Sequence, residues 1–149
     1  MPDFSDETIQ RIWERAKKDE ILDPDKYRLC PCLEAVIRRD AYGNQRSEYG
    51  WNIDHIFPKD AFFESASEEK INHPENLRAM HWKNNQQGKS NNYPHYKAAV
   101  KRGKDEGKKP KNEKANNAMT VNEHAQERIK KLYPNELKRK LAENEKMAY

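Results

Sequence analysis

Cysteine, glycine and long apolar runs are scarce in this chain of 149 residues, which has two cysteines and five glycines. No stretch approaches the ~18 to 20 apolar residues of a membrane helix, so no membrane partner is expected. The acidic start Met1-Pro2-Asp3-Phe4-Ser5-Asp6-Glu7 lacks the basic and apolar regions of a secretory signal. An intracellular location is therefore expected, cytoplasm or, in a eukaryote, nucleus. A disulfide across the single proline of Cys30-Pro31-Cys32 would be strained. Structural zinc wants four N/S ligands, which a small zinc-binding interaction module would draw from Cys30, Cys32, His73 and His81. The cysteines are read instead as reduced packing residues, with no structural zinc.

Apolar residues are few as well: 34% of the chain is hydrophobic, 36% is charged and mean hydropathy is -1.33, so the core must be small. Three tryptophans, seven tyrosines and four phenylalanines nonetheless argue against disorder. The length suits one domain with a tail. A formal net charge of +4 conceals an asymmetry. Residues 1–50 carry nine Lys/Arg against eleven Asp/Glu, and residues 101–149 carry fourteen against eight. The basic end is the expected contact for a polyanion, although such tails are as often simply solvated.

Ser5 can cap a helix running to about Lys18, with Ile9, Ile12, Trp13 and Ala16 on one face. Leu33 to Ile37 reads as a strand entering the turn Tyr42-Gly43-Asn44. Tyr49 to Ile56 and Leu77 to His81 are further strands, separated by a polar excursion with a short helix through Ala61 to Lys70, and a helix follows from Lys83 to about Asn91. Pro94 to Asn117, rich in Lys, Gly and Asn, reads as a linker or flexible basic arm. Thr120-Val121-Asn122-Glu123 matches a capping box opening a helix with Val121, Ala125, Ile129 and Leu132 on one stripe, and Pro134 starts another. This helical pair is either a small accessory module or a clasp on the core.

The chemistry concentrates at Asp54-His55, which closes the run Tyr49-Gly50-Trp51-Asn52-Ile53 and precedes Ile56-Phe57-Pro58. Neighbouring strand residues point to opposite faces, so both side chains can serve one site only where the strand ends or kinks, and Pro58 suits an ending. Downstream lie Asn76-Leu77-Arg78-Ala79-Met80-His81-Trp82-Lys83-Asn84-Asn85 and Lys89-Ser90-Asn91. A carboxylate and an amide can supply oxygen ligands to a hard divalent cation, with a neutral imidazole as base beside them. Such equipment suits hydrolysis of a phosphodiester.

This arrangement of Asp-His, Asn-Leu, Asn and Lys-Ser-Asn resembles the HNH endonucleases, whose ββα-metal motif is two antiparallel strands followed by a helix. The segment from Arg39 to Trp51 is similar to the lead-in of one subgroup, extending the likeness from Tyr27 through Pro94. The resemblance implies an α+β fold with a ββα-metal (HNH) core, an N-terminal helix and a C-terminal helical extension. Together with the elements read above, it divides the chain into a nuclease domain with its N-terminal helix at 1–96, a basic linker at 97–118 and a helical extension at 119–149. It further implies a divalent-metal-dependent endonuclease acting on DNA, RNA not being excluded, with Mg2+ or Mn2+ as cofactor, as a monomer or homodimer. His55 is the expected general base, Asn76 orients the strand bearing it, and Asp54 and Asn85 are the expected metal ligands. One extra residue before Lys89, relative to the subgroup, keeps Asn84 open as the alternative ligand. Arg78, Lys83 and Lys89 are candidate phosphate contacts. His81 is a third ligand, a substrate contact or an exposed strand histidine. The alternative function is a non-catalytic nucleic-acid-binding protein on the same scaffold.

Overall fold

A computed structural model describes residues 4–87 and 93–147. The molecule is mixed α+β, as expected, with three separate two-stranded antiparallel sheets among the described residues. Helix α1 (Asp6–Arg15) starts where the Ser5 hydroxyl accepts the Thr8 N–H at 3.1 Å, with Asp6 and Glu7 at its positive end. It buries Ile9, Ile12 and Trp13 on one stripe. The helix stops short of Lys18 because Ala16 turns extended and the Lys17 carbonyl instead accepts the Leu29 N–H at 2.8 Å.

Strands β1 (Tyr27–Leu29) and β2 (Val36–Arg38) pair next. The strand expected from Leu33 begins only at Val36, because Leu33 and Glu34 both have φ of 55°, which no strand residue can adopt. Strands β3 (Trp51–His55) and β4 (Leu77–His81) pair in the register Trp51↔His81, Asp54↔Arg78 and His55↔Leu77. Gly50, just before β3, has no room for a side chain: a Cβ there would run into the Asn44 carbonyl oxygen. Between these strands lie a 3-10 turn at Lys59–Ala61, the one-turn helix α2 (Glu68–Ile71) and a 3-10 turn at Pro74–Asn76. Helix α3 (Trp82–Gln87) follows β4 without a loop.

The stretch expected as a flexible linker at 97–118 is instead most of a β-hairpin, β5 (His95–Arg102) with β6 (Asn112–Thr120). Its glycines and proline, Gly103, Gly107 and Pro110, fall in the loop between the strands. Side-chain amides fasten the hairpin to the rest of the molecule. Asn112 accepts the Val36 N–H at 2.6 Å and donates to the Val36 carbonyl at 3.0 Å and the Glu48 carbonyl at 2.8 Å, imitating a strand partner for β2.

Helices α4 (Glu123–Leu132) and α5 (Pro134–Met147) close the chain. The cap of α4 is Asn122, which accepts the Ala125 N–H, rather than Thr120, which ends β6. Val121, Ala125 and Ile129 are buried as the stripe predicts. They share a cluster with Ile56, Phe57, Phe62 and Ile71, where the Phe57 ring lies 5.2 to 5.7 Å from those of Phe62, Tyr93 and Tyr133. The helical pair is thus a clasp over the excursion between β3 and β4, sealed by the Tyr133 hydroxyl donating to the Lys70 carbonyl at 2.6 Å. A second cluster packs Ile9, Ile12 and Trp13 against Trp51, Ile53, Leu77, Ala79, Ala98 and Val100. No helix among the described residues is long and apolar enough to cross a membrane.

Candidate active site

Asp54 and His55 are the last two residues of β3. Asp54 stands opposite Arg78 across the sheet, and its Oδ2 accepts from the arginine Nε at 3.0 Å. The two side chains are only 20% and 15% exposed, and the guanidinium lies 5.4 Å from the centre of the Tyr96 ring on β5. Burial works against the charge on Arg78, but Asp54, with Tyr96 and Cys30, outweighs it and raises the arginine's pKa. Arg78 was expected as a phosphate contact; in this geometry its charge is committed to Asp54.

His55 has a different neighbourhood. Its Nε2 lies 2.7 Å from the Asn72 Oδ1, and its ring is 6.3 Å from that of Phe4. With the amide oxygen as acceptor, the proton sits on Nε2 and the Nδ1 lone pair is available to take another. Asn72 is itself fixed as the C-cap of α2, its N–H bonded to the Glu68 carbonyl.

Directly after His55 the chain is held by Asn76. This fully buried asparagine accepts the Phe57 N–H at 2.7 Å on its side-chain oxygen and donates to the Ile71 carbonyl at 2.9 Å. Its own carbonyl accepts the Ile56 N–H at 2.8 Å. Phe57 and Ile71, from the two sides of the excursion, are thus tied through one side chain, which fixes the chain that follows His55.

The asparagine pair on α3 separates cleanly. Asn84 is fully buried, and its oxygen accepts the Ala99 and Val100 N–H groups at 2.8 Å each. Its nitrogen donates to the carbonyls of Val100 at 3.0 Å and Cys32 at 3.4 Å. Both acceptor positions are used, leaving none for a cation. Successive helical residues point about 100° apart, so the half-buried Asn85 faces elsewhere and takes no part in this clamp. Lys83 is exposed, with Nζ 5.4 Å from the Trp82 ring centre. Lys89 lies outside the described residues.

His81 is not the exposed residue that alternation allowed. It is 1% exposed, with Nε2 2.6 Å from the Glu48 carbonyl and Nδ1 accepting the Lys83 N–H at 3.1 Å. Burial lowers its pKa, assisted by Lys83 and opposed by Glu48. The unfolded chain therefore binds this proton more readily, so the stability due to His81 is full above the ordinary histidine value of ~6.5 and is lost as pH falls below it. Thermal melts between about pH 7 and pH 5 should show a smaller loss of stability in His81→Gln than in the wild type. Equal losses would mean that other groups govern the acid side.

Sequence reasoning missed Asn72, whose place depends on the C-terminus of a one-turn helix with little signal. It also missed the Asp54–Arg78 pair, which depends on the register of β3 on β4. Among the described residues, no three His, Cys, Asp or Glu side chains converge as a metal site. No protein-family model matches this chain, and no curated protein or solved structure does.

Proposed function

We propose that this chain is a metal-dependent endonuclease of the HNH kind, hydrolysing phosphodiester bonds in DNA. The observation that carries the reading is the order β3, β4, α3, with Asp54-His55 ending the first strand and His55 held through Nε2 so that Nδ1 is free. His55 takes a proton from the attacking water at Nδ1, Asn72 keeps the ring in that tautomer, and Asn76 holds the chain that follows. The donor chemistry fits Mg2+ or Mn2+, hard ions that keep several waters and need few protein oxygens. Asp54 has Oδ1 outside its bond to Arg78, and Asn85 offers an amide oxygen, so these two residues would hold the ion. When bound, it would stabilise charge on the scissile phosphate and the leaving 3′ oxygen.

One observation favours a second reading, a non-catalytic nucleic-acid-binding protein on this scaffold. The Asp54 carboxylate already has a cationic partner in Arg78 at 3.0 Å. Incubation with supercoiled plasmid and magnesium or manganese separates the two readings. Nicked or linear product that disappears with chelator supports the nuclease; binding without any cleavage in either metal supports the second reading.

The β5–β6 hairpin is the proposed grip on nucleic-acid backbone. Lys97, Lys104, Lys108, Lys109 and Lys114 are exposed there and take part in no ion pair among the described residues. Lys101, Arg102 and Lys111 are instead paired with Glu113, with Asp19 and Asp105, and with Glu48 and Glu106. Each phosphate contact on duplex DNA contributes ~0.9 to the slope of log affinity against log salt. Replacing Lys97, Lys104, Lys108 and Lys109 by glutamine should therefore flatten that slope by up to about 3 to 4 units and leave base preference unchanged. An unaltered slope would move the binding surface towards Lys83.

A further inference from the structure

The charges around Asp54 cancel. Asp54 brings one negative charge, and Arg78, with its Nε 3.0 Å from the same carboxylate, brings one positive charge. Among the described residues no cluster of three His, Cys, Asp or Glu side chains forms around Asp54. Asn85, the other proposed ligand, is an uncharged amide. Burial raises the pKa of Cys30, of Cys32 to about 12 and of Tyr96, so these groups near Arg78 stay protonated and add no negative charge. The pair is also fixed in place. The two side chains stand opposite each other in the register of β3 on β4, and the guanidinium lies 5.4 Å from the centre of the Tyr96 ring. An arginine keeps its charge throughout the working pH range, so a positive charge meets any cation that reaches Asp54.

We propose, resting on the nuclease reading above, that Arg78 makes divalent-metal binding conditional on nucleic acid: the free protein holds Mg2+ or Mn2+ weakly, and a substrate phosphodiester supplies the negative charge that the site lacks. Mg2+ is commonly held by one or two carboxylates together with substrate phosphates. Here the single carboxylate is already neutralised by Arg78, so a divalent ion alone would leave the group with a net charge of about +2. A phosphodiester oxygen brings one negative charge and lowers that excess. Linkage is reciprocal, so the metal should tighten nucleic-acid binding by the same factor by which nucleic acid tightens metal binding. Arg78 is a positioning residue in this scheme. It acts through Asp54, holding Oδ2 and setting how strongly the carboxylate attracts a cation.

The test follows Mn2+ binding by electron paramagnetic resonance, which needs no turnover. The whole chain carrying His55→Ala is titrated alone and saturated with a duplex DNA oligonucleotide. The same titrations with Asp54→Asn added subtract the Mn2+ held by the DNA itself. The Asp54-dependent site should bind Mn2+ at least about tenfold more tightly with DNA than without. Adding Arg78→Met, which keeps an unbranched side chain against Tyr96 and removes the charge, should tighten Mn2+ binding to the protein alone at least about tenfold and shrink the effect of DNA. The proposal is overturned by equal Mn2+ affinity with and without DNA, by unchanged affinity of the free protein in Arg78→Met, or by the absence of any Asp54-dependent Mn2+ signal. Should Arg78→Met fail to fold, the comparison with and without DNA decides. Plasmid cleavage by the unaltered chain reports separately on the nuclease reading, so cleavage together with a metal affinity indifferent to DNA overturns this inference alone.

Discussion

His55→Ala should lower the rate of magnesium-dependent cleavage by about 100- to 10,000-fold, the usual cost of removing a general base. Binding of metal and DNA should stay near wild type, because the change deletes neither proposed oxygen ligand and no proposed phosphate contact. The expectation is specific to the geometry at the end of β3. Asn72 engages Nε2 at 2.7 Å, and Asn76 pins the next residues, so the lone pair at Nδ1 is presented by two neighbours that do no chemistry themselves. Asn72→Ala should consequently cost less, about 10- to 100-fold. It should also alter the pH profile of the rate, because the ring tautomer and orientation of His55 are no longer held. A purely structural role for Asn72 would change stability and leave that profile alone. Activity of His55→Ala within about threefold of wild type would remove this histidine from the mechanism.

What could be read from the sequence was local and periodic. The Ser5 cap, the Ile9, Ile12 and Trp13 stripe, the strand Leu77–His81 and the buried face of α4 each declare themselves within a few residues. The hairpin did not, for an equally physical reason. Only Ala98 and Val100 of its strands are buried, and β6 buries nothing, so no alternation marks it among its lysines and asparagines. Its placement comes from Asn112 and Asn84, single side chains acting over long sequence separations. Strand β1 was missed likewise: it is three residues long, and its Arg28 is buried by bonds to the carbonyls of Glu14, Ala16 and Pro24. At the candidate site the residue types were legible and their partners were not. Nothing in the local sequence around Asp54 indicates that its carboxylate meets Arg78, because that contact exists only once the register of β3 on β4 is set.

The α3 asparagines offer the sharpest separation of structure from chemistry. Asn84→Ala should destabilise the protein by about 2 to 4 kcal/mol, because it leaves the partly buried Ala99 N–H and the buried Val100 N–H without acceptors and opens a void between α3 and β5. Asn85→Ala should change stability by less than about 0.5 to 1 kcal/mol, since this side chain is half-buried and is not part of that clamp. Its effect should fall instead on metal dependence, with more magnesium required to reach half-maximal cleavage. Urea melts and magnesium titrations of both variants give the comparison. The extra residue before Lys89 makes the alternative concrete. If Asn84→Ala melts like wild type and shifts the magnesium requirement, the ligand is Asn84 and α3 is rotated by one residue from the arrangement described. If both variants lose stability and neither shifts the metal dependence, the α3 amides belong to the core, and Asp54 with its partner Arg78 would remain as a structural ion pair without a cation to hold.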